Sequence, residues 1–440
     1  MRRHSPPYTG TTFSSSRKGA NMSEARRLAA LAKRSCGVVG IAPATMRSEA
    51  ISAAAREIRA RTEEICAANE RDLERARRAG MPLPLQDRLL LDAGRLDAIA
   101  ESLLSIARQD DPVGRVVGGM TIASGARVEQ VRVPLGVVAI VYEARPNVTA
   151  DAFALCLRSG NACVLKGGSA ANESCLAIVA ACRAALEGAG LPADALQYVS
   201  DDTTHAETAE LLTANGLVDV LIPRGGAALI RSCVESATVP VIETGTGNCH
   251  VYLHEAADAE KAVAIVVNAK CQRPGVCNAA ESLLVDASAA ERLLPPVLTA
   301  LAEHGVELVG DGLARRVAAA CGVEMGEATE DDWGREYLDL KMSVRCVSGV
   351  EEAVAHVNHY GTGHSEAIVS ESYAACEEFL AGVDAAAVYA NASTRFTDGG
   401  MFGLGGEIGI STQKLHARGP MGAEALTTTK YVIRGEGQTR

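Results

Sequence analysis

VPLGVVAIVYEARPNVTADAFALCLRSGNACVLKGG, residues 133–168, decides the fold. Its run VVAIVY is short, apolar and rich in β-branched residues, which reads as a strand, with Pro146 closing the extended segment. DAFALCLRSG then spaces apolar residues in helical steps and stops at Gly160, and ACVLKGG is a second short apolar run closed by paired glycines. Strand, helix and strand in this order form one βαβ unit, with parallel strands and a right-handed crossover.

The same alternation continues toward the C-terminus. A helix over ANESCLAIVAACRAALEGAG (171–190), a strand near LQYVS (196–200), a helix over HAETAELLTANG (205–216) and the strand VDVLIP (218–223) complete one parallel sheet. A second alternating lobe begins near VPVIETGTGNCHVYL (239–253). It passes through the helix ADAEKAVAIVVNAK (257–270), the strand ESLLVD (281–286) and the helix AAERLLPPVLTALAEHG (289–305), and extends to about Asn391. The Gly-rich, then extended stretch 402–438 is expected to run back across the molecule. Toward the N-terminus, residues 23–108 space apolar positions three and four apart, which predicts amphipathic helices broken at Gly80-Met81-Pro82. GARVEQVRVPLG (125–136) alternates and reads as one arm of a hairpin or as an extended strand.

The chain has 440 residues, 48% hydrophobic and 3% aromatic, enough for one large α/β protein in two or three lobes. A net charge of −11 and a pI near 5.4 offer nucleic acid or anionic membranes no general attraction. No apolar run approaches the roughly 20 residues that cross a bilayer, so the sequence reads as a cytoplasmic protein without nucleic acid or membrane partners. Its thirteen cysteines are scattered and odd in number. Cys156, Cys163, Cys175 and Cys182 sit in apolar patterns, as reduced core thiols do. Residues 1–21 carry Arg, Lys, Ser and Thr but no acid and predict a disordered tail; the composition also fits a transit peptide, or a gene start placed upstream of a true first residue at Met22.

Open α/β sheets place ligands at strand ends, and four loops there could carry chemistry. In QRPGVCN (272–278), Cys277 follows Pro and Gly in a loop that need not bury its sulfur, although a single cysteine is more often inert. In VYEARPNVT (141–149), Asn147 could donate to an oxyanion or simply cap the next helix. In ACVLKGGSAANES (162–174), Lys166 precedes Gly-Gly and a helix, a setting for a phosphate or ribose as well as for a solvated charge. In IPRGGAALIRSCVE (222–235), Gly225 and Gly226 open a helix that could receive a pyrophosphate, without a GxGxxG fingerprint. His250, His254, His359, His364 and His416 accompany the cysteines, but no CxxC pair or HExxH helix is present, so no metal is expected.

In order along the chain, the opening stretch, IETGTGNCHVY (242–252), NAKCQRPGVCNAAE (268–281), HVNHYGTGHSEAI (356–368) and GEIGISTQKLHARGPMG (406–422) resemble the gamma-glutamyl phosphate reductase family, within the aldehyde dehydrogenase superfamily. The resemblance runs from about Met22 to the C-terminus. It implies an α/β, aldehyde-dehydrogenase-like fold: a Rossmann-type NADP-binding domain over 22–245, with 123–136 in a small β oligomerisation lobe, a catalytic domain over 246–395, and a return segment with an oligomerisation strand over 396–440.

Residue by residue, the resemblance makes Cys277 the nucleophile and Asn147 the side-chain oxyanion donor. Lys166 and Ser169 fall at the cofactor ribose, Gly225 and Gly226 beside its pyrophosphate, and Glu336, in REYLDLK, at the nicotinamide ribose. Glu243 matches a general-base position, recast here as a proton-carrying or positioning residue because water attack would waste a thioester. The implied reaction is reduction of L-glutamyl 5-phosphate by NADPH to glutamate 5-semialdehyde, in proline biosynthesis. The substrate's phosphate and α-carboxylate call for cations, for which Arg273, Lys414, His416 and Arg418 are candidates, with His364 and Glu366 as further substrate-facing groups. A homo-oligomer and a transient partner, glutamate 5-kinase, are further implications. A relative that reduces another acyl phosphate or thioester, and a catalytically silent scaffold, are the competing readings.

Overall fold

The computed structural model describes residues 22–143, 145–200 and 204–440; the tail expected over 1–21 lies outside the described residues. Helices Glu24–Ile41, Ala44–Ala60, Thr62–Arg78, Leu83–Leu89 and Ala93–Ala107 occupy the amphipathic N-terminal stretch. Ser23 and Asp92 cap the first and last of these by accepting the backbone N–H of Arg26 and Arg95. Gly80, at φ 71°, takes the left-handed conformation that stops the third helix. Their apolar stripes, including Ile51, Ile58, Leu96 and Leu103, join the core of the first parallel sheet.

Strands β1 (Val116–Thr121) and β2 (Arg127–Pro134) form an antiparallel hairpin, as the alternation predicts. The next four strands, β3 (Val137–Tyr142), β4 (Ala162–Lys166), β5 (Leu196–Tyr198) and β6 (Val220–Arg224), make a parallel sheet in the order β5-β4-β3-β6. All six residues of β3 are buried, which explains why the deciding stretch shows a continuous apolar run and not an alternating one. β3 ends at Tyr142, short of Pro146, because Asn147 already opens the helix Asn147–Arg158.

A second parallel sheet follows: β7 (Cys249–Leu253), β8 (Ala280–Asp286), β9 (Glu307–Gly310), β10 (Gly326–Glu327), β11 (Lys341–Val347), β12 (Ser365–Val369) and β13 (Ala387–Ala390). Its order is β10-β9-β11-β8-β7-β12-β13, with β7 and β8 central and fully buried. After the short hairpin of β14 (Ile410–Ser411) and β15 (Gly419–Pro420), β16 (Thr427–Arg434) pairs along β2, from Thr427 opposite Pro134 to Arg434 opposite Arg127. The stretch expected to run back across the molecule therefore closes a three-stranded sheet begun about 300 residues earlier. All thirteen cysteines are free, and Cys156, Cys163, Cys175 and Cys182 are buried. No helix among the described residues is long and apolar enough to cross a membrane.

Candidate active site

The helix Ala259–Cys271 ends at Gln272, and residues 272–279 carry the chain into β8. This loop is clamped on several sides. Arg395 Nε donates to Gln272 Oε1 at 2.9 Å, Arg88 Nη2 donates to the Gly275 carbonyl at 3.4 Å, and Asn278 Nδ2 donates to the Thr397 carbonyl at 2.8 Å. Behind it, Cys249 Sγ donates to the carbonyl of Cys277 at 3.2 Å. Gly247 packs so closely that a Cβ there would overlap that same carbonyl, a position only glycine can fill. The Gly247 N–H donates to Glu336 Oε1 at 2.8 Å, so one glycine separates Cys277 from a carboxylate.

Cys277 is half-buried and lines a cavity of about 230 Å³ with Glu143, Gly225, Gly226, Thr244 and Glu336. A larger cavity of about 660 Å³ adjoins it and is lined by Asn147, Asp151 and Ser102. Arg88, Arg145, Arg224, Arg273, Asp398 and Glu407 wall both. Burial raises the Cys277 thiol above its ordinary value; Arg224 and Arg145 pull it down, while Glu407 and Glu336 reinforce the rise. Burial, with repulsion from Arg224, Arg88 and Arg273, lowers Arg145 to about 10. Arg224 lies 3.7 Å from Glu407, whereas no ion pair forms at Arg145 or Arg273 among the described residues. Arg145 and Arg273, without such a pair on the cleft wall, are the groups best placed to receive an anion.

The opposite wall comes from the first sheet. β3 has β4 on one side and β6 on the other, so the strand order reverses there, and such a switch point leaves a crevice at the carboxyl ends of the strands. Tyr142 stands opposite Arg224 in register, which sets Glu143 beside Gly225 and Gly226. Glu143 Oε1 accepts the Gly226 N–H at 3.0 Å at the entry to the helix Ala227–Ser236. Lys166, at the end of β4, is buried and donates to the Gly167 carbonyl at 2.7 Å. Backbone N–H groups and a lysine can donate to the phosphates of a dinucleotide, and the Glu336 carboxylate can accept from its ribose hydroxyls.

A model of the "Aldehyde dehydrogenase family" matches residues 3–320. Gamma-glutamyl phosphate reductase from Thermobifida fusca is 52% identical over 394 residues, 90% of this chain and 93% of that protein. The crystal structure of gamma-glutamyl phosphate reductase from Thermotoga maritima superposes with a TM-score of 0.91 at 43% identity, over 95% of this chain and 100% of that one. The chain belongs to the aldehyde dehydrogenase family, among its gamma-glutamyl phosphate reductases. An acetylating aldehyde dehydrogenase from Geobacillus thermoglucosidasius, 19% identical over 95% of this chain and 97% of that one, shares the fold at a TM-score of 0.67. Family membership implies a nicotinamide cofactor.

Within this family framework, Cys277, Arg273, Glu336, Gly225 and Gly226 share one cavity, and Asn147 lines the adjoining one. Asn147 is the first residue of its helix and makes no side-chain cap; its amide points along the helix to Asp151 at 3.5 Å. Ser169 is exposed in a short 3₁₀ turn, Ser169–Ala171, just past Lys166. Glu243 lines a separate cavity of about 230 Å³, sharing Thr244 and Thr246 with that of Cys277.

Other expected substrate contacts are placed elsewhere. Lys414 Nζ and Arg418 Nη2 lie 2.5 and 2.8 Å from the Asp384 carboxylate, and His416, at φ 67°, has Nε2 2.7 Å from the Ala425 carbonyl. None of the three lines either cavity, because Asp384 and the β15 turn hold this loop away. His364 and Glu366 are fully buried behind the 272–279 loop, not substrate-facing. Glu366 Oε2 accepts the His250 N–H at 2.7 Å, and His364 Nδ1 lies 2.8 Å from Ser365 Oγ; burial pushes His364 down to about 4. Of the cations that line the cleft, Arg273 is expected from the sequence, whereas Arg88, Arg145, Arg224 and Arg395 are not. Arg145 and Arg224 stood in plain view at the ends of two strands, in EARPN and IPRGG.

Proposed function

We propose that this chain reduces L-glutamyl 5-phosphate to L-glutamate 5-semialdehyde with release of phosphate, as a step of proline biosynthesis, and that NADPH is the reductant. The observation that carries the reading is the setting of Cys277: a half-buried thiol opening on a cleft walled by Arg88, Arg145, Arg224 and Arg273. Such a cleft suits a substrate that bears a phosphate at the atom under attack and a carboxylate at its other end.

Burial holds the Cys277 thiol above its ordinary value, Arg224 and Arg145 offset part of that rise, and the thiolate attacks the γ-carbonyl. Asn147 and the backbone N–H of Cys277 take the negative charge that forms on the carbonyl oxygen. The C–O bond to phosphate breaks, the arginines receive the anion, and a thioester remains on Cys277. Lys166, Ser169, Gly225, Gly226 and Glu336 would hold NADPH, which supplies a hydride to the thioester carbonyl. The same oxyanion donors take the charge a second time, and its collapse expels the Cys277 thiolate and frees the aldehyde. Glu243 need not activate water in this sequence and serves to position groups or to carry a proton.

We further read the β1-β2-β16 sheet, which exposes Met120, Tyr431 and Ile433, as the face that joins copies into a homo-oligomer. Glutamate 5-kinase, which makes the acyl phosphate, is its transient partner, and the cytoplasm its location. The reverse reaction tests the function. NADPH formation from glutamate 5-semialdehyde and NADP should require phosphate and disappear in Cys277→Ser. Activity independent of phosphate would remove the acyl-phosphate assignment, and activity in the serine variant would remove the nucleophile.

A further inference from the structure

The larger cavity beyond Asn147 contains a carboxylate in an unusual position. Asp151 lies four residues after Asn147 on the same helix, half-buried, and lines the cavity wall. It accepts from Ser102 Oγ at 3.0 Å and from Asn147 Nδ2 at 3.5 Å, and no cation pairs with it among the described residues. The other carboxylates of this cavity are engaged. Asp87 pairs with Arg95 at 2.6 Å, Asp398 accepts the N–H of Gly400 at 2.9 Å and of Met401 at 3.2 Å, and Glu407 accepts the Gly399 N–H at 2.9 Å while facing Arg224. Burial raises Asp151 to about 6; hydrogen bonds from Ser102 and Asn147 and the charge of Arg224 offset only part of that rise.

Geometry supplies the missing partner. Residues four apart on a helix stand slightly more than one turn apart, about 6 Å along its axis. In the proposed substrate, four bonds separate the γ-carbonyl carbon from the α-nitrogen, about 5 Å when extended. With the carbonyl oxygen on Asn147, the α-ammonium falls level with Asp151.

We propose that Asp151 receives the substrate's α-ammonium group and thereby makes this site select α-amino acyl phosphates over their des-amino analogues. The proposal rests on the reaction proposed above and adds the residue that reads the amino group. Asp151 acts on binding and register, with Ser102 holding its carboxylate toward the cavity.

The test compares two aldehydes in the phosphate-dependent reverse reaction: glutamate 5-semialdehyde and 5-oxopentanoate, which lacks the amino group. The wild-type enzyme should prefer the first in kcat/KM, and Asp151→Asn should lower that preference roughly 10²-fold, mainly through KM for the amino substrate. Ser102→Ala, which leaves the carboxylate in place, should lower the same ratio by a smaller factor and serves if Asp151→Asn does not fold. An equal loss on both aldehydes in Asp151→Asn, or wild-type indifference to the amino group, would overturn the assignment. Absence of phosphate-dependent oxidation of either aldehyde by the wild type would instead overturn the reaction on which it rests.

Discussion

Gly247 and Cys277 are in backbone contact: the glycine stands where any side chain would overlap the Cys277 carbonyl, while its N–H holds Glu336. Gly247→Ala must therefore displace either the Cys277 peptide or the Glu336 loop. We expect kcat to fall by at least about 10²-fold, since a misplacement of about 1 Å at a reacting group costs that much. Steady-state kinetics with a parallel thermal melt checks this; wild-type kcat in a folded variant would show that the loop tolerates the shift.

Asn147→Ala removes the proposed oxyanion donor, a side chain that neither caps its helix nor packs in the core. Turnover should drop about 10²- to 10³-fold while the melting temperature stays near that of wild type. Comparable loss of both would mean that Asn147 serves the fold.

Lys270 and Glu281 flank the Cys277 loop as a fully buried ion pair, Nζ to Oε2 at 2.5 Å, and Glu281 Oε1 also accepts the N–H of Leu338 at 3.2 Å. Lys270→Met strands a buried carboxylate and should cost about 3–5 kcal/mol in urea unfolding. The double variant Lys270→Met, Glu281→Leu should regain most of that stability but not full activity, because Leu338, at φ 56° in the cavity wall, loses its acceptor. Recovery of both together would separate the pair from the site.

Burial, with repulsion from His250, Arg345 and His359, holds His356 down to about 3, and burial holds His364 at about 4. Both values lie below the unfolded value of about 6.5, so the fold favours the neutral rings. The stability they contribute is complete above that pH and is lost as pH falls through about 6.5 toward 4, by about 1.4 kcal/mol per pH unit for each ring. His356→Phe, replacing a ring packed against His250, Trp333 and Tyr360, should flatten the fall in urea midpoint between pH 7 and 5. An unchanged slope would mean that other groups carry the acid response.

The parallel sheets were readable because burial of whole strands leaves continuous apolar runs, as in VVAIVY, and because Gly160 and Gly80 punctuate the helices where chain reversal needs them. Cys277 became prominent only through its surrounding motifs, since a lone cysteine in a loop carries little information. The cations were harder. Lys414 and Arg418 share a motif with the cleft residue Glu407 but meet Asp384, a carboxylate about 30 residues earlier in the chain, and no local pattern announces that pairing. Arg88 comes from a helix nearly 190 residues before the loop it contacts. Asp151 is legible as a cavity-facing residue only once the helix phase of Asn147 is known.

The pairing of β2 with β16 also sets a schedule for biogenesis. β2 leaves the ribosome about 300 residues before its neighbour β16, an interval of roughly 15–60 s at ordinary synthesis rates. Throughout that interval one edge of β2 is unsatisfied, while the strand that continues from it, β3, can already enter its own sheet. The sheet is completed only after β16 has been made, and a ribosome stalled before residue 427 exposes a bare strand edge to quality control.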